Sequence, residues 1–297
     1  MKNAGISVLC CILALLLMLF AFLPKNNNKV KLNIKVLNTK TDAITEMNIE
    51  EYVLNVLRGE MPADFEIEAL KAQAVAIRTY AIKKRGSNID VHKGADVCDD
   101  YKHCMAYVDE KTAKANWKDN FGANNQKLKK AVYETEGKIM KYDGEPITAV
   151  FHAISSGKTE NSNEVWNGEK LPYLSSVDSS VDTEVDGYMT EVEVPITEYE
   201  KKTGTSGDKL SYEYTEGGAV KKFITDDREF TGSEIRAMFG LRSASFAAEK
   251  KEGKFVFKVK GYGHGVGMSQ RGANEYAKQG MKYDAILKKY YSGVTIE

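Results

Sequence analysis

The stretch Glu51-Tyr-Val-Leu-Asn-Val-Leu-Arg-Gly-Glu-Met-Pro62 constrains this chain more than any other. Tyr52, Val53, Val56 and Leu57 recur at helical spacing, so one face of the helix must be buried. Pro62 stops the helix and pushes Met61 into an extended conformation. Glu60 is therefore left at the C-terminal end, where unpaired carbonyls and the negative end of the dipole gather. Both disfavour a charged carboxylate. If Met61 and neighbouring apolar groups also shield it, its pKa rises toward the range a general acid needs near neutrality. The competing reading is a solvated glutamate at a helix end, which is the common case.

The partner of that buried face is the next helix, roughly Glu66 to Lys84. Asp64, Glu66 and Glu68 stand at the favourable end of its dipole. Ala69, Ala72, Ala74, Ala76 and Ala81 let backbones approach closely. Lys71 and Arg78, seven residues apart, share a face and are candidates for holding anionic or polar substrate groups near Glu60. The alternative is a solvated face on which Glu68 pairs with Lys71.

Upstream, Ile6 to Leu23 is apolar apart from Ser7, about eighteen residues against the ~20 of a membrane-spanning helix. Ala21-Phe-Leu is not a signal-peptidase site. The expectation is an uncleaved anchor in residues 1–24 with its span at 6–23, a linker at 25–29 and a body at 30–297. Lysines on both sides of the span leave its orientation open. Equal numbers of Lys+Arg and Asp+Glu, 42 each, and the absence of a long basic run argue against nucleic acid as a partner.

Within the body, Val30 to Leu37 alternates as a half-buried strand. Between Gly86 and the next helix lie His92, Cys98, His103 and Cys104, set among Asp96, Asp99 and Asp100. His92, Cys98 and Cys104 offer one imidazole and two thiolates, a set that suits one zinc ion, with His103, an Asp or water as fourth ligand. A small-loop disulfide between Cys98 and Cys104 is the open alternative. Leu128 to Thr135 reads as a helix ended by Gly137. Asp143-Gly144 reads as a hairpin turn whose second strand runs from Glu145 to Phe151. The polar stretch His152-Ala-Ile-Ser-Ser-Gly-Lys-Thr-Glu-Asn161 that follows suits the wall of a sugar groove.

Residues 182–250 read as supporting structure, a smaller subdomain with a strand at Met189 to Pro195 and a helix capped by Thr231 or Ser233 and ended by Gly240. Lys254 to Lys260 alternates as a strand. It leads into Gly261-Tyr-Gly-His-Gly-Val-Gly-Met-Ser-Gln-Arg-Gly-Ala273, whose alternate glycines free the backbone to approach a ligand. Their spacing is not that of a dinucleotide-binding loop. His264 is a candidate to orient Glu60 or touch substrate, and Ser269 and Gln270 open the last helix, which ends near Tyr290. The expected fold is α+β: a helical pair carrying Glu60, packed with antiparallel strands and a C-terminal strand, glycine loop and helix unit.

Six blocks in order resemble the SpoIID/LytB family. They are Tyr52-Val-Leu-Asn-Val-Leu-Arg-Gly-Glu-Met-Pro, Ala69-Leu-Lys-Ala-Gln-Ala-Val-Ala-Ile-Arg-Thr-Tyr, Phe151-His-Ala-Ile-Ser-Ser-Gly-Lys-Thr-Glu, Ile235-Arg-Ala-Met-Phe-Gly-Leu-Arg-Ser, Gly263-His-Gly-Val-Gly-Met-Ser-Gln and Tyr290-Tyr-Ser-Gly. The resemblance runs from about Leu32 to the C-terminus. It implies a membrane-anchored lytic transglycosylase that cuts peptidoglycan glycan strands already stripped of stem peptides, during engulfment of the forespore. It also implies an amidase partner, stage II sporulation protein P, and a membrane scaffold, stage II sporulation protein M. The body would then lie outside the cytoplasm, between mother cell and forespore. Glu60 would act as acid and then base, with Lys71, Arg78, His152, Ser155, Ser156, His264 and Gln270 holding substrate or orienting Glu60. Zinc is not demanded by that mechanism. Two other classes compete: a wall-binding module that enhances an amidase without catalysis, and a zinc amidase or peptidase built on His92, Cys98 and Cys104.

Overall fold

Strand β1 (Asn33–Leu37) turns back antiparallel on β2 (Ile44–Asn48), which ends at the residue that starts the first helix. The Asn48 side chain accepts from the Glu50 N–H at 2.9 Å and caps α1 (Ile49–Glu60). Tyr52, Val53, Val56 and Leu57 are fully buried, as their spacing requires. The helix stops at Met61, whose φ of −128° and ψ of 140° are the extended geometry that a following proline imposes. Next comes α2 (Ile67–Lys84), with its five alanines fully buried. It is apolar nearly all round, which marks a central helix.

After α2 the chain forms a long loop holding only β3 (Val97–Cys98), which adds to β1 in parallel. Two helices follow, α3 (Glu110–Trp117) and α4 (Phe121–Glu134). β4 (Met140–Tyr142) and β5 (Glu145–Pro146) then make the expected hairpin. Asp143 and Gly144 take φ of 50° and 82°, as a two-residue hairpin turn demands. The second strand stops at Pro146, short of Phe151, because proline has no N–H to extend the ladder. Phe151 and His152 instead form β6, followed by the short helix α5 (Ser162–Trp166).

The region read as supporting structure contains β7 (Met189–Pro195), α6 (Ile196–Thr203), β8 (Leu210–Tyr214), β9 (Val220–Thr225), β10 (Arg228–Phe230), α7 (Gly232–Phe239), β11 (Phe246–Lys251) and β12 (Lys254–Lys260). Thr231 and Glu234 form a capping box at the start of α7, and Gly240 ends it in the left-handed conformation. Two three-stranded antiparallel sheets, in orders β10-β9-β8 and β11-β12-β7, enclose a local core of Tyr199, Phe223, Phe239, Phe246, Phe255 and Phe257. That core extends past Lys250 because β12 is the middle strand of its sheet. β13 (Met268–Ser269) pairs in parallel with β6. The expected last helix is two, α8 (Gln270–Lys278) and α9 (Tyr283–Tyr290), parted at Gly280, whose φ is 92°. β14 (Thr295–Ile296) closes on β4.

The computed structural model describes residues 32–87 and 90–297, so the expected anchor at 6–23 lies outside the described residues. Among the described residues no helix is long and apolar enough to cross a membrane. Residues 33–297 form one compact unit of mixed helices and small, mostly antiparallel sheets. The helices α1, α4, α8 and α9 all pack on α2.

Arg78 fastens this arrangement from inside. It is fully buried and donates to both carboxylate oxygens of Glu50, at 2.8 and 2.5 Å, and to the Lys138 carbonyl at 3.0 Å. Glu50 also accepts from the Gly137 N–H. One ion pair thus joins α1, α2 and the approach to β4. Arg78→Ala should lower the unfolding free energy by about 3–5 kcal/mol, since it strands a carboxylate in a largely dry site. Urea denaturation of the two proteins measures this.

Candidate functional site

Glu60 is the last residue of α1 and is partly buried. Its Oε1 accepts the Ala106 N–H at 2.6 Å, and the Gln270 amide donates to its main-chain carbonyl at 3.1 Å. Burial pushes the carboxyl pKa up against the opposing pull of the Ala106 N–H and the Gln270 amide. Among the described residues no cation is paired with it. Gly59 makes the contact with Ala106 possible: a Cβ there would lie 3.0 Å from the Ala106 carbonyl carbon and oxygen. Oε1 is thus held as an acceptor, so Oε2 is the oxygen able to carry a proton.

The loop that presents Ala106 is drawn together two residues earlier. His92, Cys98, His103 and Cys104 bring one ligand atom each to within 4.8 Å of one another. His92 Nε2 lies 3.1 Å from His103 Nδ1, and Cys98 Sγ lies 3.5 Å from the same nitrogen. Cys104 Sγ lies 3.4 Å from His92 Nε2 and 3.6 Å from His103 Nδ1. A tetrahedral ion with Zn–N and Zn–S bonds of about 2.0 and 2.3 Å spaces its ligands roughly 3.3–3.8 Å apart, so this N2S2 donor set fits zinc. Both cysteines are free thiols. His103 is the imidazole that would take the fourth position, which the sequence left open between an imidazole, an Asp and water. Asp96 and Asp99 are occupied elsewhere, accepting backbone N–H groups of Lys35, Gly86 and Thr39. Tyr52 is buried beside the cluster with no hydrogen-bond partner for its hydroxyl, and burial holds its pKa well above the usual value.

The other candidate residues divide sharply by surroundings. Arg78 is sealed against Glu50, as described above. Lys71 is ion-paired with Glu68 at 2.9 Å and Glu134 at 2.6 Å, its side chain 13% exposed. Both cations are neutralised internally, so neither offers a free charge beside Glu60. Ser155 is fully buried and donates to Asp182 at 2.6 Å. Asp182, which the sequence reading passed over, also accepts from Ser179 at 2.8 Å and Ser269 at 2.9 Å. Burial raises its pKa while those three hydroxyls resist. Ser269 in turn caps α8 through the Gly272 N–H. That cap sets the first turn of α8, and with it Gln270, against Glu60.

His152 is buried beside Ser269 and packs on His264, with ring centroids 5.7 Å apart. Its Nδ1–H donates to the Val266 carbonyl at 3.1 Å, which leaves Nε2 buried as an unmatched acceptor. Burial and the neighbouring His264 drive its pKa down to about 3, and burial with Arg236 brings His264 to about 4. Both rings are neutral at pH 7. His264 and Ser156 are only partly buried, and Trp166 packs on His264 at 5.1 Å. The loop that carries His264 holds Gly261, Gly263, Gly265 and Gly267, all at positive φ, so only this residue type can supply its path. A second buried acid, Glu160, accepts the Ala219 N–H at 2.9 Å and does not touch Glu60.

The raised pKa of Glu60 has a consequence for stability. In the unfolded chain this carboxyl loses its proton near 4.5, and in the folded protein it does so at higher pH. Between those values ionisation opposes folding, and above them the penalty is complete. Glu60→Gln keeps an acceptor for Ala106 and has no proton to lose. It should melt at a higher temperature than wild type at pH 7, with the gap closing below about pH 4.5. Thermal melts across pH 3–8 test this, and a pH-independent gap would contradict it.

Comparison with known proteins agrees with this arrangement of blocks. The family model SpoIID, described as stage II sporulation protein, matches residues 37–142. Stage II sporulation protein D of Bacillus subtilis is 36% identical over 89% of this chain and 78% of its own length. The Bacillus amyloliquefaciens protein of the same name is 35% identical over the same shares. A Bacillus subtilis protein named amidase enhancer is 30% identical over 81% of this chain but 39% of its own length. With Glu60 and the end of α1 inside the residues matched by the family model, and two relatives above 30% identity over most of their length, the chain belongs to the SpoIID family of stage II sporulation proteins.

Proposed function

We propose that the protein is a lytic transglycosylase that cleaves peptide-free peptidoglycan strands after N-acetylmuramic acid during engulfment of the forespore. The observation that carries this reading is the Glu60 carboxyl: partly buried, raised in pKa by that burial, and held on Oε1 by the Ala106 N–H. Glu60 Oε2–H protonates the glycosidic oxygen as the bond to the muramoyl C1 breaks. The carboxylate then takes the proton from muramoyl O6, which closes on C1 to leave a 1,6-anhydro end. One carboxyl serves both steps, where a typical hydrolase flanks the bond with two. Asp182 is filled by three serine hydroxyls, and Glu160, also raised in pKa by burial, accepts the Ala219 N–H on Oε1 and keeps its unpartnered Oε2 buried, where a glycan cannot reach it.

Gln270, through the Glu60 carbonyl, positions the acid, while His264 and Ser156 stand at the more open side of the same segment. An anchor at 6–23 would hold the body outside the cytoplasm, beside the amidase and scaffold that the family resemblance implies, stage II sporulation proteins P and M. One zinc ion on His92, Cys98, His103 and Cys104 would brace the loop that ends in Ala106. With four protein ligands it has no open position for water, so its contribution is structural. The name of one relative, amidase enhancer, supports a second reading in which the protein binds wall without cutting it.

Incubating the full chain in detergent with peptide-free strands and reading products by mass spectrometry separates these readings. Anhydro-ended fragments from wild type and none from Glu60→Gln are expected; intact strands with both would favour the binding module. Protein purified without added metal should hold about one zinc per chain, and a strong chelator should lower its melting temperature. Four titratable thiols per chain with no metal, Cys98 and Cys104 reacting as freely as Cys10 and Cys11, would overturn the zinc assignment.

A further inference from the structure

The far end of the histidine pair carries an arginine that the proposed reaction does not use. Arg242 lies flat over the Tyr262 ring, 4.3 Å from its centroid, and donates Nη1–H to the Gly187 carbonyl at 3.2 Å. Gly187 makes room for it, since a Cβ there would come within 3.3 Å of Nη1. Among the described residues no carboxylate is ion-paired with Arg242, whereas Arg58 and Arg78 each hold a glutamate. Only one of its five N–H donors is used inside the protein. A guanidinium fixed on a ring and left without an acid is a prepared fork for a carboxylate from outside.

Its surroundings match a sugar acid better than a simple anion. Tyr262 is 46% exposed and Trp166 is 47% exposed. Trp166 packs on His264, two residues from Tyr262, and Tyr262 pairs with Ile154 in the segment that carries His152 and Ser156. Such rings, apolar on the face and polar at the edge, suit the C–H face of a pyranose. Arg236 sits near both Tyr262 and His264 and donates to the Leu241 carbonyl. Three acids lie in this corner and none is ion-paired with Arg242: Glu164 and Glu216 share the Asn161 amide, and Glu160 accepts the Ala219 N–H. Trp166 is tied through the interior to the acid's surroundings: it packs on His264, His264 packs on the buried His152, His152 lies beside Ser269, and the next residue, Gln270, donates to the Glu60 carbonyl.

We infer that Arg242, with Tyr262 and Trp166, forms a subsite that binds the lactyl carboxylate of a muramic acid residue whose stem peptide has been removed. The inference rests on the glycan reading proposed above. Hydrolysis of the amide between muramic acid and its peptide leaves a free carboxylate on the lactyl group, and a strand that keeps its peptides has an amide there instead. A fork that pairs with the carboxylate therefore distinguishes the two kinds of strand by charge.

Binding is measured with the full chain in detergent carrying Glu60→Gln, so that strands stay intact. The two ligands are peptide-free strands and chitooligosaccharides of equal length, which lack the lactyl group. Arg242→Gln should weaken strand binding about tenfold, the loss of one charge-assisted contact, and leave chitooligosaccharide binding unchanged. Arg242→Lys should recover part of the loss, and Trp166→Ala should weaken both ligands. Circular dichroism melts confirm that each variant is folded. Equal affinity of Arg242→Gln and its parent for the strands, or no binding of strands by the parent, overturns the inference. Absence of anhydro products from wild type, with Arg242-dependent strand binding intact, would instead sink the proposed reaction and leave this subsite standing.

Discussion

The hydrogen bond from the Ala106 N–H to Glu60 is the contact on which the rest of this site depends. It reaches from a helix end to a loop that has almost no regular structure of its own, so the loop must be fixed by other means. Asp96 and Asp99 tie its first half to β1. The four-ligand cluster gathers its middle. Beyond Ala106, Val108 donates to the Asn55 carbonyl at 3.0 Å, and the Asn55 amide donates to the Tyr107 hydroxyl at 2.8 Å. Each side chain loses freedom in these contacts, and the result is one amide held at one carboxylate oxygen. A metal at the cluster fits this scheme because it would bind where the loop has fewest hydrogen bonds to the body.

The opposite wall is built by a different device. Asp182 collects three serine hydroxyls from three separate segments, and one of them, Ser269, also caps the helix that begins with Gln270. A buried carboxylate is costly unless its lone pairs are filled, and here they are filled by groups that thereby become fixed relative to one another. The polar stretch after β6 thus serves mainly as internal framework, open chiefly from Ser156 to Lys158, and the partly buried His264 of the glycine loop lines a cavity with Ser156.

Much of this was legible in local sequence. The end of α1 at Met61, the Asp143-Gly144 turn, the Thr231 cap, the Gly240 stop and the strands at 189–195 and 254–260 each follow from a few adjacent residues with a strong local preference. What stayed hidden was decided by distant residues. Helical spacing offered Glu68 as a partner for Lys71, but Glu50 and Glu134 lie on other elements, so it could not reveal that Glu50 neutralises Arg78 or that Glu134 adds to Glu68 at Lys71. β6 finds its partner in β13, where Phe151 pairs with Met268 and His152 with Ser269, and the hairpin signal before it gave no warning of that crossing. Asp182 carried no motif, since only Ser179 is its neighbour in sequence while Ser155 and Ser269 come from segments that meet it only in the fold.

The energetics of Glu60 bear on what the site is for. A carboxyl whose burial raises its pKa subtracts from folding stability at neutral pH, because the unfolded chain ionises more readily than the folded one. A glutamine at that position would accept from Ala106 equally well without that penalty. A module that only bound glycan would gain nothing from the acid, since its hydrogen-bonding pattern on the Ala106 side is that of an amide. The acid is useful where a proton must leave and return within one turnover, and Oε2, the oxygen not held by Ala106, is where that exchange would occur. The stability given up at Glu60 is therefore easier to understand in an acid and base catalyst than in a wall-binding scaffold.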